Sequence, residues 1–141
     1  MAGDLRVLAW IAEHGWEACV DAAAQLPARE IMLLHVAGPV HHGPGLLGRH
    51  PRPDVEARYD EVAEEAAEAL LAAAEERLAA TVAVRRVAAR GRPEDVVIEA
   101  CADADVLVLT RSGHRPGPHS LEHANRFVVD HAPCTVLLTW P

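Results

Sequence analysis

Arginine and histidine carry most of the chemistry open to this chain. Of its 141 residues 13 are basic, every one an arginine, and they stand beside nine histidines and 21 Asp and Glu. Without lysine there is no side-chain primary amine, which excludes Schiff-base catalysis and a Walker-type phosphate lysine. The densest set is Arg111, His114, Arg115, His119, His123 and Arg126, a combination able to receive an anion or small ligand on charged N–H donors. Closeness in sequence does not bring side chains together in space, so these are expected to be solvated loop and helix residues, with an anion site as the alternative. His41, His42 and His50 stand among Gly and Pro, without the i, i+4 spacing that aims two imidazoles at one ion, and no metal site is expected there. His35 lies inside an apolar run and is expected to pack in the core.

Nucleophiles are scarce. Cys19, Cys101 and Cys134 fit neither a disulfide framework nor a Cys-x-x-Cys motif and are expected to pack as small buried residues. Cys134 follows a proline at a strand entry, where packing is expected rather than redox sensing. The chain has no Gly-x-Ser-x-Gly elbow, no Cys and His at a recognisable spacing and no motif-placed pair of carboxylates, so a non-catalytic protein is expected.

The elements that must position these residues follow from hydrophobic period and punctuation. Val7-Leu8-Ala9-Trp10-Ile11, Ile31 to Val36 and Val106 to Thr110 are short apolar runs, as strands buried on both faces require. Thr81 to Ala89 and Thr135 to Trp140 supply two more strands. Helices are predicted over Trp16 to Leu26, over Asp54 to about Ala80 with an inner stripe of Val55, Tyr59, Val62, Ala66, Leu70 and Ala73, and from Pro93 to about Ala102. A last helix is predicted over Leu121 to His131 with Ser120 as its N-cap. Gly38 to Pro53 is rich in Gly, Pro and His and reads as a long loop. The β-α alternation predicts an α/β fold: a parallel five-stranded sheet, doubly wound with helices on both faces. A ligand crevice in such a sheet lies at the carboxyl ends of the strands where their order reverses, here after Ile11 and after Thr110.

Composition bounds the rest. Length predicts a single domain over residues 1–141. A net charge of −8 argues against nucleic acid, whose binding rests on a basic face. Much of that charge falls on the long helix, where it reads as a solvated face. No apolar run approaches the roughly 20 residues of a membrane helix, and the N-terminus lacks a signal-peptide pattern, so a cytoplasmic protein without membrane attachment is expected.

Several segments in this order resemble the universal stress protein family: Leu34-His35-Val36 closing the second strand, Gly91-Arg92-Pro93 at a helix entry, Asp105 to Leu109, and above all Phe127-Val128-Val129-Asp130-His131-Ala132-Pro133-Cys134-Thr135-Val136-Leu137-Leu138. The resemblance covers nearly the whole chain. It implies a Rossmann-like sheet of the adenine nucleotide alpha hydrolase kind, often dimeric through the last strands. Some members hold ATP on a Gly-x2-Gly-x9-Gly-(Ser/Thr) motif after the fourth strand, where glycines let backbone N–H groups approach the phosphates.

Here the first glycine position is Thr110, the second is Gly113, and the third falls on Glu122 or His123. The acidic residue that such members place after the first strand corresponds to Ala12. Glu122 would repel a triphosphate at short range. The positions a crevice ligand would meet are Ala12, Val36, Gly113, Gly117, Ser120, His123 and Asn125. The resemblance thus implies a stress-response binding or regulatory module without a cofactor, a homodimer through Thr135 to Trp140 that also meets another protein. A nucleotide-binding protein or slow ATPase, with a remodelled loop from Gly113 to Ser120, is the alternative.

Overall fold

The computed structural model describes residues 3–38 and 53–141. The chain runs β1 (Leu5–Trp10), α1 (Trp16–Ala24), β2 (Ala28–Ala37), α2 (Pro53–Leu78), β3 (Ala83–Arg90), α3 (Pro93–Ala100), a 3₁₀ turn (Cys101–Asp103), β4 (Val106–Thr110), α4 (His123–His131) and β5 (Thr135–Thr139). Its five strands form one sheet in the order β3-β2-β1-β4-β5, and each neighbouring pair is parallel. The order reverses between β1 and β4, as the sequence predicts, and that is where a crevice opens.

β4 is buried along its whole length because it lies between two strands and under helices on both faces. Val7, Ala9, Ile31, Leu33 and Val108 join Val20 and Leu71 in one apolar layer. Leu8, Leu34, Leu107 and Leu109 join Val97 and Val128 in the other. Alternate residues of each strand therefore feed the α1–α2 side and the α3–α4 side.

The inner face of α2 differs from its predicted stripe. Ala67, Leu71, Ala74 and Leu78 are buried, whereas Tyr59 and Val62 are 60% and 63% exposed and Val55 is exposed as well. The helix has 26 residues, roughly 39 Å at 1.5 Å per residue. β3 has 8, roughly 27 Å, so the helix outruns the sheet. Arg90, at the end of β3, already reaches back to Asp60 and Glu64, and the turns before them overhang.

α4 also departs from the prediction. Glu122 stands at its N-cap and the helix begins at His123. Ser120 cannot cap it because its hydroxyl donates to the Gly117 carbonyl at 2.9 Å and accepts from Arg111 Nη1 at 2.9 Å.

Candidate functional site

At the carboxyl ends of β1 and β4 lies an open cavity of about 720 Å³, of the size that holds a small organic ligand. One rim follows β1 and β2: Ala12, Glu13, His14 and Gly15 on one side, His35 to Gly38 on the other. Gly15 turns the chain into α1 with φ of 77°, and its carbonyl accepts the Thr110 hydroxyl at 2.8 Å. A Cβ at Gly15 would stand 2.7 Å from Thr110 Cγ2, so only glycine allows β1 and β4 to meet there. His35 does not join the core as expected: it is half-buried, a ring nitrogen 2.7 Å from the Ile11 carbonyl, and it lines the cavity. Beneath the rim, Cys19 is fully buried and its thiol is pushed up to about 12 by desolvation, which makes it inert.

The other rim, from Arg111 to Glu122, is folded onto itself. The backbone N–H groups of Ser112 and Gly113 both donate to the Ser120 carbonyl, at 2.8 and 3.3 Å, and Ser120 N–H donates to Gly117. Ser120, 2% exposed, is the hub of this loop. A Cβ at Gly113 would lie 3.1 Å from the His119 carbonyl oxygen, and Gly117 has φ of 134°. Both glycines thus serve the loop's own close turns. Glu122 receives its backbone bond from the other direction, its N–H donating to Ser112 Oγ at 3.2 Å. The amides of Ser112 and Gly113 and the hydroxyl of Ser120 are engaged within the loop.

Of the positions predicted to meet a ligand, Ala12, Val36 and Asn125 line the cavity, with Asn125 Nδ2 donating to the Thr110 carbonyl at 3.2 Å. Gly113, Gly117, Ser120 and His123 do not line it. His123 lies near Glu94, whose carboxyl is held below its usual range by its own backbone N–H, then by Arg92, with a smaller part from His123.

The dense histidine and arginine set also divides. Arg111 and His114 face the cavity. Arg126 donates to the Pro118 carbonyl, and Arg115 and His119 are exposed away from the cavity. Sequence reasoning missed Glu13, which stands beside Ala12 and puts a carboxylate on the first rim. Its signal was a one-residue offset from the expected acidic position. Arg111 is pinned on two sides, by Ser120 Oγ and by the Trp140 ring 4.6 Å from its carbon Cζ, and it makes no ion pair with a carboxylate among the described residues.

The sequence matches the model of the universal stress protein family over residues 4–139. The chain belongs to that family. Among solved structures, universal stress protein UspA from Lactobacillus plantarum is similar to it with a TM-score of 0.67 and 18% identity, covering 99% of each chain. A universal stress protein solved in complex with cAMP gives 0.65 and 17%, covering 98% of each. A member from Arabidopsis thaliana with AMP bound gives 0.62 and 16%, covering 97% of this chain and 92% of its own. At these identities the likeness is one of fold. No curated protein sequence matches the chain.

This universal stress protein has a crevice at the switch point, with Thr110 and Glu122 on its lining. Thr110, at the first glycine position, spends its hydroxyl on Gly15, and Glu122 sits at the start of α4. In this arrangement the Ser112 and Gly113 amides are not open to a phosphate, since both are bonded to the Ser120 carbonyl. No group of three or more His, Cys, Asp or Glu among the described residues is arranged for a metal; His41, His42 and His50 lie outside them. No described helix is long and apolar enough to cross a membrane.

Proposed function

We propose that this universal stress protein is a non-catalytic binding and regulatory module of the cytoplasm, acting as a homodimer, whose crevice takes a ligand of mononucleotide size and low charge and does not hold ATP. The observation that carries this reading is the closed loop: the Gly113 amide and the Ser120 hydroxyl are bonded within the loop. Glu13 and Glu122 on opposite rims add repulsion against a polyanion. That relatives have been solved with AMP and with cAMP makes these the first ligands to try. Calorimetric titration is expected to show heat with AMP or cAMP and none with millimolar ATP, with or without magnesium, and no phosphate release from ATP. ATP binding tighter than AMP would overturn it.

A second reading, nucleotide binding or slow ATP hydrolysis on a remodelled loop, is favoured by one feature, the guanidinium of Arg111 stacked on Trp140 at the cavity and without a carboxylate partner among the described residues. Under that reading Arg111→Ala abolishes ATP binding and phosphate release that the parent protein displays.

The homodimer rests on the outer edge of β5. Arg111 N–H donates to the Thr139 carbonyl at 2.8 Å, so by strand alternation Val136 and Leu138 turn their backbone N–H and C=O outward. Leu137 and Trp140 are exposed beside that edge. Natural sheets rarely leave such an edge open, and a second copy of β5 would cover it. Light scattering at micromolar concentration should give a dimer that Leu137→Arg weakens; a monomer for the parent protein would end the proposal.

A further inference from the structure

Cys101 and Cys134 are 33 positions apart in the sequence, yet both stand at the roots of neighbouring strands. Cys134 directly precedes β5, whose first residue Thr135 pairs with Val106 at the start of β4. Cys101 opens the 3₁₀ turn that leads into β4, and the turn folds back at once, Ala104 N–H donating to the Cys101 carbonyl at 3.1 Å. Neighbouring strands run about 4.8 Å apart. The two cysteines also share one apolar layer under the sheet, Cys101 1% exposed and Cys134 half-buried. Cys134 lies close enough to Cys101 to act on its thiol. Cys19 belongs to the layer on the other face and bonds the carbonyls of Trp10 and Val108.

We propose that Cys101 and Cys134 form an internal dithiol site that reacts with a peroxide to give an intramolecular disulfide, a modification separate from the crevice and from whatever it binds. Spacing alone predicts packing for both residues, and it is the approach of β4 and β5 that turns two packing cysteines into a pair. Burial, and then the neighbouring Cys134, push the Cys101 thiol up to about 12, which keeps it protonated in the resting protein and assigns the first attack to the more accessible Cys134.

In that step the Cys134 thiolate attacks one peroxide oxygen. The S–O bond forms, the O–O bond breaks, and hydroxide leaves and takes up a proton as water. The Cys101 sulfur then attacks the Cys134 sulfenic sulfur and gives up its proton to the departing oxygen; the S–S bond forms, the S–O bond breaks and a second water leaves. Two thiols and one hydrogen peroxide yield one disulfide and two waters. The sulfurs are oxidised by two electrons and the peroxide is reduced by two. The new bond ties the turn after α3 to the root of β5.

The test uses the full chain, reduced, freed of reductant and exposed to hydrogen peroxide. Under denaturing conditions the titratable thiols should fall from three to one, and the intact mass should drop by about 2 Da. A non-reducing digest should join the Cys101 and Cys134 peptides. Cys19→Ser should still lose two thiols and form the bond, while Cys134→Ser, at the half-buried position, should keep both of its thiols and its mass. Three thiols surviving peroxide, conversion of Cys134 to the sulfinic acid alone, or a disulfide between the Cys134 residues of two chains would each overturn the proposal.

Discussion

The two rims of the crevice are built in opposite ways. The β1–β2 rim rests on the sheet: Ile11, fully buried, sends its N–H to the Leu34 carbonyl at 2.7 Å and leaves Ala12 to Gly15 and Val36 to Gly38 facing the cavity. The β4 rim rests on itself, with Ser120 receiving Ser112, Gly113 and Arg111 and bonding Gly117 in return. One rim draws its order from the sheet and keeps its surface free for a ligand. The other spends the Ser112 and Gly113 amides and the Ser120 hydroxyl on its own order.

The largest expected effect lies at the foot of the first rim. Ile11→Ala removes a fully buried side chain, and a loss of about 2–5 kcal/mol is expected in urea unfolding. A cost under about 1 kcal/mol would mean that the sheet does not carry this rim. Next comes Gly15→Ala, which forces a Cβ against Thr110 at a backbone angle suited to glycine. About 1–3 kcal/mol is expected, together with weaker AMP or cAMP binding, since the two rims meet there.

On the second rim Ser120→Ala removes one side-chain hub but leaves the backbone bonds to the Ser120 carbonyl intact, so only about 1 kcal/mol is expected. ATP should still give no heat, because Thr110 and Glu122 remain. Were this variant as damaging as Ile11→Ala, the contrast between the rims would fail.

Asp21→Asn, remote from both rims, should have the smallest effect. Asp21 is held below its usual value by the bidentate Arg77 between α1 and α2. A depressed carboxylate adds stability above its unfolded-state pKa and loses it as pH falls through the folded one. The variant should therefore flatten the acid limb of the stability profile, with no measurable change at neutral pH in salt. A neutral-pH loss as large as that of Ser120→Ala would show that the helix layer, and not the rims, limits stability.

Legibility followed how local each signal is. The run Val106 to Thr110 is apolar at every position, and it forms the strand buried at every position. Pro93 with Glu94 and Asp95 marks the start of α3 where the structure has it. The face of α2 was not legible because Ala66, Ala67, Ala69 and Ala72 to Ala74 put small apolar groups on all sides of the same turns, and periodicity cannot choose among faces that look alike. Ser120 was misread as a cap because a serine before a helix carries that signal whatever its hydroxyl meets. For the crevice, Ala12, Val36 and Asn125 were legible from strand ends and resemblance, whereas Glu13 and the division of the arginine and histidine set were not.

What the sequence by itself determined is the order of elements and the position of the switch point, since both depend on residue type and short-range period. Only the tertiary structure decided which loop donors are engaged, that Arg111 is pinned beside the cavity while Arg115 is not, and that Cys101 neighbours Cys134. The physical reason is common to all three. A hydrogen bond or a thiol pair is made across gaps of a few ångströms, and that proximity is created by packing of strands and loops distant in sequence, which no local pattern records.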